Sequence, residues 1–142
     1  LLNNTDIYSS VITKNKLIIS VCDNGGFAVI NRLQLFKGGK EYNNLLKSSN
    51  TPGLVDVDFA KHAESMGAKS EHVTSISDLE AAFKRAKASD VTYVISIKTH
   101  AYKWVEGSSF WDSPTLEIPT TKENEEALKL YKEGKGKQRQ GI

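Results

Sequence analysis

The residues Asp23-Asn24-Gly25-Gly26-Phe27 follow directly on the apolar run Leu17-Ile18-Ile19-Ser20-Val21-Cys22. A strand ending in this way delivers a carboxylate, an amide oxygen and two backbone units without a Cβ to the carboxyl edge of a sheet, where open α/β folds hold their ligands. Asn24 Oδ1 and the Gly26 carbonyl are hard, neutral oxygen donors of the kind that Mg2+ or Ca2+ takes. A helix launched from the glycines would aim the amides of Gly26, Phe27 and Ala28 at an anion. These residues therefore suit a phosphate and its metal, with one more carboxylate needed to hold the ion well. The same residue types also dominate tight turns for reasons of φ alone, and local chemistry does not choose between the two. Neither familiar phosphate fingerprint is present: there is no Gly-x-Gly-x-x-Gly, and no Lys-Ser or Lys-Thr directly after the glycines.

The elements around this turn follow from hydrophobic spacing. Residues 16–22 are a β-branched run without polar alternation, which predicts a parallel strand buried on both faces. Val29, Ile30, Leu33 and Phe36 predict a helix over 28–36, stopped by Gly38-Gly39. Residues 40–52 read as a polar loop anchored by Tyr42, Leu45 and Leu46. Asp58 caps a helix over 59–66 that ends at Gly67 in the C′ position. A strand follows over 69–74, then a helix to residue 87 with Ser77 as N-cap and Glu80 as its capping-box partner. Asp90 ends that helix, and 91–97 is a third strand. Upstream, residues 2–13 carry Leu2, Ile7, Val11 and Ile12 near helical spacing. Beyond Ile97 the pattern gives way to an aromatic-rich stretch with Trp104, Phe110 and Trp111, and a last helix over 123–131 presents Ala127, Leu128 and Tyr131. Strand, helix, helix, strand, helix, strand is the rhythm of a parallel sheet with right-handed crossovers, so the fold class is α/β.

At 142 residues the chain has room for one core. A formal net charge of +2 with 25% charged residues gives no field that argues for nucleic acid. Lys132, Lys135, Lys137 and Arg139, interleaved with Gly134, Gly136 and Gly141, read as a flexible basic tail. Cys22 is the single cysteine, which excludes an intramolecular disulfide and a Cys-rich metal site. It reads as a buried small hydrophobe, since no adjacent His or Lys would lower its pKa. No apolar stretch approaches the ~20 residues that span a bilayer, and no signal-peptide pattern is present. The chain therefore reads as cytoplasmic, without membrane or nucleic-acid partners.

The segment IISVCDNGGFAVINRLQ, residues 18–34, resembles the second half of the metal and diphosphate motif of thiamine diphosphate (ThDP) enzymes. In that family a Gly-Asp-Gly is followed by a helix, a strand and an Asn. The resemblance implies that the Asn24 side chain and the Gly26 main-chain oxygen bind Mg2+, and that Gly25, Phe27 and Ala28 lie with them against the diphosphate. NNTDIYSS, residues 3–10, resembles the helix after Gly-Asp-Gly and would put that motif just upstream of Leu1. With VDFAKHAESMGA, residues 57–68, and the aromatic stretch, the chain is similar within the family to the trihydroxycyclohexanedione hydrolases of inositol catabolism, up to about Pro114. That likeness implies hydrolytic ring opening of a cyclic 1,2-dione, in a homo-oligomer acting on a small molecule.

The resemblance also implies a three-layer α/β/α sheet that is incomplete at its N-terminus. Residues 1–114 would be the C-terminal part of the diphosphate-binding domain, and 115–142 a helix and tail. Such a cut would expose a strand edge and favour self-association. The Gly-Asp-Gly carboxylate and the family's cofactor-activating Glu have no counterpart here, so no catalytic residue is assigned and the chain alone is expected to be inactive. Asn31, by analogy, and His100, at the carboxyl edge after the third strand, are the residues expected to face substrate. Trp104, Phe110 and Trp111 would line that pocket or an interface, Asp23 would accept backbone amides, and His62 and His72 read as surface or packing residues. The alternatives are an acetolactate-synthase-like or decarboxylase-type lyase, and a non-catalytic flavodoxin-like binding module.

Overall fold

Three β-branched runs pair in parallel. They are β1 (Ile18–Asp23), β2 (Lys69–Val73) and β3 (Tyr93–Lys98), in the order β1-β3-β2. Ile18 stands opposite Tyr93 and Asp23 opposite Lys98; on the other side Lys69 pairs with Tyr93 and Val73 with Ile97. The computed structural model describes residues 3–53, 55–105 and 116–138. It divides into two compact units, Leu1–Asn24 with Gly53–His100, and Gly25–Pro52 with Ala101–Ile142.

In the first unit the sheet is the middle of an α/β/α sandwich. Helix α1 (Thr5–Ile12) and helix α3 (Phe59–Glu64) cover one face, where Ile7, Val11, Ala63 and Met66 meet Ile19, Val21 and Val94. Helix α4 (Ile76–Ala88) covers the other, with Leu79, Ala82, Phe83 and Ala86 on Val73, Tyr93, Ile95 and Ile97. Val94 and Ile95 are fully buried, and burying side chains of that size contributes about 1.5–3 kcal/mol each. Ser10 ties α1 to the sheet: its hydroxyl donates to the Ile7 carbonyl at 2.7 Å and meets Thr92 Oγ1 at 2.7 Å.

Two expectations are corrected here. β1 is an edge strand whose residues alternate between exposed and half-buried, so it is not buried on both faces. Its Ile19 and Val21 meet α1 and α3, whereas α4 packs on β2 and β3 and leaves Ile18, Ser20 and Cys22 exposed. Cys22 is thus an exposed thiol rather than a buried hydrophobe. The α4 cap is also displaced. Ser75, not Ser77, is the N-cap, accepting from Asp78 N at 3.1 Å and donating to Asp78 Oδ2 at 2.7 Å. Ser75…Asp78 and Ser77…Glu80 are overlapping capping frames, and the earlier one adds half a turn of helix. Asp58 caps α3 as expected, its carboxylate accepting from Lys61 N at 3.0 Å.

The second unit is built on α2 (Ala28–Phe36), a 3-10 turn at Leu46–Ser48, and α5 (Lys122–Lys137). α2 has the extent its spacing predicts. Its end is closed from α5: Asn124 Nδ2 donates to the Lys37 and Gly38 carbonyls at 3.4 and 3.0 Å. Gly38, at φ +79°, has Glu123 O 2.5 Å from where a Cβ would stand. α5 continues past the expected end at Tyr131, through Gly134 and Gly136, so residues 132–137 are helical. Phe110, Trp111, Arg139 and Gly141 lie outside the described residues.

Candidate diphosphate and metal turn

The strand that delivers the turn is fixed at its end by β3. Thr99 N donates to the Asp23 carbonyl at 2.8 Å, one step beyond the Asp23–Lys98 register pair. Lys98 Nζ donates to Asp23 Oδ2 at 2.6 Å and to Asp56 Oδ1 at 2.5 Å. The Asp23 side chain is 15% exposed and that of Asp56 is 81% exposed. Hydrogen bonding to Asp23 first, then to Asp56, pushes the Lys98 pKa up to about 12. The Asp23 carboxylate thus engages Lys98 through Oδ2. Neither Lys98 nor Asp56 stood out in sequence, because only strand pairing reveals that residues 23 and 98 are opposite. Asn24 is half-buried and His100 exposed, and they follow β1 and β3 at the same carboxyl edge.

Gly25 and Gly26 open the second unit, where residues 44–46 bind them. Gly26 forms an antiparallel bridge with Leu45, Phe27 N donates to the Asn44 carbonyl at 2.7 Å, and Leu46 N donates to the Gly25 carbonyl at 2.9 Å. Leu45 is 2% exposed, so this polar loop is anchored rather than loose. Gly25, at φ +77°, has open space where a Cβ would stand, whereas a Cβ on Gly26 would lie 2.4 Å from Asn44 O. The Phe27 amide is therefore committed to Asn44, which corrects the expectation that it is offered to an anion. Phe27 is the N-cap of α2 and its side chain makes no capping hydrogen bond; no acidic residue stands in the first turn. The amides of Ala28, Val29 and Ile30 are the helix-end donors that this leaves for an anion.

Farther along α2, Asn31 is 1% exposed and donates through Nδ2 to Glu41 Oε1 at 3.1 Å. Its buried Oδ1 has no hydrogen-bond partner. Hydrogen bonds from Tyr102 and then Asn31, with Lys47 nearby, hold the Glu41 carboxyl below its ordinary value. The Lys47 ammonium lies 4.1 Å from the centre of the Tyr102 ring. Asn31, Arg32, Leu35 and Phe36 face Tyr102 and Trp104 across a cleft of about 260 Å3, with the Arg32 guanidinium 5.2 Å from the Trp104 ring centre. Asn31 and Trp104, singled out separately in sequence, thus line one cleft; Glu41, Tyr102 and Arg32 were missed, having no local motif. His62 pairs with Asn4 at 3.2 Å and His72 is exposed on β2. Among the described residues no group of three or more His, Cys, Asp or Glu could hold a metal, and no helix is long and apolar enough to cross a membrane.

The family model described as thiamine pyrophosphate enzyme, C-terminal TPP binding domain, matches residues 1–97. The chain belongs to the thiamine pyrophosphate enzyme family. It is 30% identical over 133 residues to a 3D-(3,5/4)-trihydroxycyclohexane-1,2-dione hydrolase of Bacillus licheniformis, covering 93% of this chain and 20% of that protein. A hydrolase of the same name from Lacticaseibacillus casei is 32% identical over 133 residues, covering 89% and 20%. The chain therefore spans about a fifth of the length of these curated relatives. Among solved structures, the thiamine diphosphate-dependent 4-hydroxybenzoylformate decarboxylase of Rhodococcus jostii RHA1 matches with a TM-score of 0.53 and 26% identity, over 68% of this chain and 17% of that one. The thiamine pyrophosphate family match displaces the flavodoxin-like alternative. The residues present fit the family's cofactor in part. An α2 N-terminus whose N-cap, Phe27, makes no side-chain capping bond and a Gly25 with open space at its Cβ position suit a diphosphate. For the metal, the turn offers two neutral oxygens and no carboxylate cluster.

Proposed function

We propose that this chain is the diphosphate-holding part of a ThDP- and Mg2+-dependent enzyme that cleaves a carbon–carbon bond next to a carbonyl. The proposed reaction is hydrolytic ring opening of a trihydroxycyclohexane-1,2-dione in inositol catabolism, by a cytoplasmic homo-oligomer. The observation that carries this reading is the helix end itself: α2 starts directly after Asn24-Gly25-Gly26, and the side chain of its N-cap, Phe27, makes no capping hydrogen bond. The hydrolase names of the relatives support the reaction class. The cofactor supplies, when bound, a nucleophilic carbanion and an electron sink. The chain's own residues hold and orient: Asn24 Oδ1 and the Gly26 carbonyl would take Mg2+, and the first-turn amides of α2 would take the diphosphate, which the bare Gly25 lets approach. Asn31 and His100 would contribute on the substrate side. Residues 1–114 would belong to the diphosphate-binding domain and 115–142 to its C-terminal helix and tail. A decarboxylase-type lyase is the second reading, favoured by the solved decarboxylase match and by the apolar character of the Leu35, Phe36 and Trp104 cleft.

The test is to read the coding sequence upstream of Leu1 and express the longer frame. A Gly-Asp-Gly within a few codons is expected, together with ThDP- and Mg2+-dependent consumption of trihydroxycyclohexane-1,2-dione. An unrelated upstream sequence would sink the assignment, and turnover of 4-hydroxybenzoylformate instead would select the second reading. The 142-residue chain by itself is expected to bind ThDP too weakly for calorimetry and to show no turnover.

A further inference from the structure

We propose that the cleft beside α2 is a binding site in its own right, taking a single flat, apolar ring that carries a hydroxyl or N–H donor, with Asn31 Oδ1 as the acceptor for that donor. The whole cleft lies in the second compact unit, between α2 and residues 101–104. Among the described residues it is lined by none of Asn24, Gly25 and Gly26, so it goes beyond the diphosphate turn and stands or falls separately. Leu35, Phe36, Tyr102 and Trp104 give it apolar and aromatic walls. Tyr102 and Trp104 are each 38% exposed, so the cleft opens to solvent. Its volume of about 260 Å3 is below the roughly 300–1,000 Å3 of pockets for drug-sized ligands, which suits one six-membered ring. The Arg32 guanidinium, 5.2 Å from the Trp104 ring centre, steadies the indole as one wall.

Asn31 supplies the polar contact because one end of its amide is already committed. Its Nδ2 donates to Glu41 Oε1 at 3.1 Å, and Glu41, which also accepts from Tyr102, is held below its ordinary pKa and so stays ionised. An ionised carboxylate only accepts hydrogen bonds, so the end of the amide that meets it is the NH2 group, and the other end is the carbonyl oxygen. That oxygen is buried and has no hydrogen-bond partner among the described residues, in a side chain 1% exposed. Buried polar atoms are nearly always paired, because an unsatisfied one forfeits its hydration without return. A ligand O–H or N–H that meets Oδ1 from the cleft removes that cost, whereas an apolar ring of the same size leaves it in place. Glu41 thereby positions the acceptor: it fixes which end of the Asn31 amide is left for a ligand.

Phenol and toluene, which differ by a hydroxyl against a methyl, test this when titrated at millimolar concentration into the 15N-labelled 142-residue chain. The Asn31 side-chain amide and the Trp104 indole N–H are followed by NMR. Saturable shifts at both groups are expected, with phenol bound about three- to tenfold more tightly than toluene, the scale of one hydrogen bond net of its exchange with water. In Asn31→Leu, which puts an apolar side chain of similar size in place of the amide, toluene should bind at least as tightly as phenol. Circular dichroism melting checks that this variant folds; if it does not, the wild-type comparison decides alone. Equal affinities or a preference for toluene in the wild type overturn the proposal, as does the absence of saturable shifts at Asn31 and Trp104. A phenol preference that survives in folded Asn31→Leu overturns it too. Neither probe carries a phosphate, so these outcomes leave the diphosphate-turn reading untouched.

Discussion

Gly25 and Gly26 are neighbours in sequence, yet alanine at the two positions should have very different costs. A Cβ on Gly26 would stand 2.4 Å from Asn44 O and 2.9 Å from Leu45 Cα, separations that real Cβ atoms do not show. Both neighbours are backbone, so no flexible side chain can swing away. Residues 44–46 must retreat, which loosens the Phe27–Asn44 and Leu46–Gly25 hydrogen bonds, each contributing about 0.5–1.5 kcal/mol. The φ of Gly26, +151°, adds conformational strain of about 1–3 kcal/mol for a residue with a side chain. Gly26→Ala should therefore cost about 2–6 kcal/mol in total. Gly25, at φ +77°, meets nothing within 4 Å, so Gly25→Ala carries only the left-handed penalty of about 1–2 kcal/mol. Urea denaturation followed by circular dichroism and tryptophan fluorescence measures both. With a slope of about 1–3 kcal/mol per molar urea, a gap of 2 kcal/mol separates the midpoints by about 1 M. Equal losses for the two variants, within about 0.5 kcal/mol, would refute the claim that residues 44–46 bind the turn closely.

Asn31→Ala should destabilise the chain by about 1–3 kcal/mol, because a buried amide and its bond to Glu41 are lost. In the same variant the Glu41 pKa should rise toward its ordinary value, read by carboxyl 13C shifts during an NMR titration. Ser75→Ala should cost about 0.5–2 kcal/mol in a thermal melt as an N-cap loss, with Ser77→Ala nearer neutral; the reverse order would restore the cap expected from sequence. Glu71 is held below its ordinary 4.5 first by Arg85, which donates to it at 3.0 and 2.6 Å, and also by the Tyr93 hydroxyl at 2.7 Å. A carboxylate whose pKa falls on folding contributes its stability above the unfolded pKa and loses it as pH drops through the folded one. Glu71→Gln should accordingly lower stability at neutral pH and flatten the decline below about pH 4.5, measured by urea midpoints across pH.

Much of the scaffold was legible because its signals are local. Asp58 capped α3 as read, Ala28–Phe36 emerged with the extent its spacing required, and the order of strands and helices gave the parallel sheet. What failed depended on partners distant in sequence. An apolar run such as Ile18–Cys22 looks alike in a central and an edge strand, and only the order β1-β3-β2 shows that Cys22 is exposed. Glycines at 134 and 136 weaken a helix, but the capped start at Thr121 and the packing of the Lys37 ammonium 4.6 Å from the Tyr131 ring centre carry α5 through them. The candidate turn was visible as a motif, while its supports at Lys98, Asp56 and residues 44–46 were not.

Those supports alter what the turn can do. Sequence alone offered an anion three amides, those of Gly26, Phe27 and Ala28. Because Phe27 N is bonded to Asn44, the helix-end donors begin at Ala28 and move toward the first turn of α2. The carboxylate nearest the turn, Asp23, is paired with Lys98, so a cation would compete with that ammonium for it. That leaves Asn24 Oδ1 and the Gly26 carbonyl, two neutral oxygens, and a strongly hydrated Mg2+ gains little from two such donors by themselves. On the proposed reading the compensating charge must come from the diphosphate and from a carboxylate supplied elsewhere in the enzyme. Metal and diphosphate would then depend on each other for affinity, and this chain's contribution is to fix their orientation.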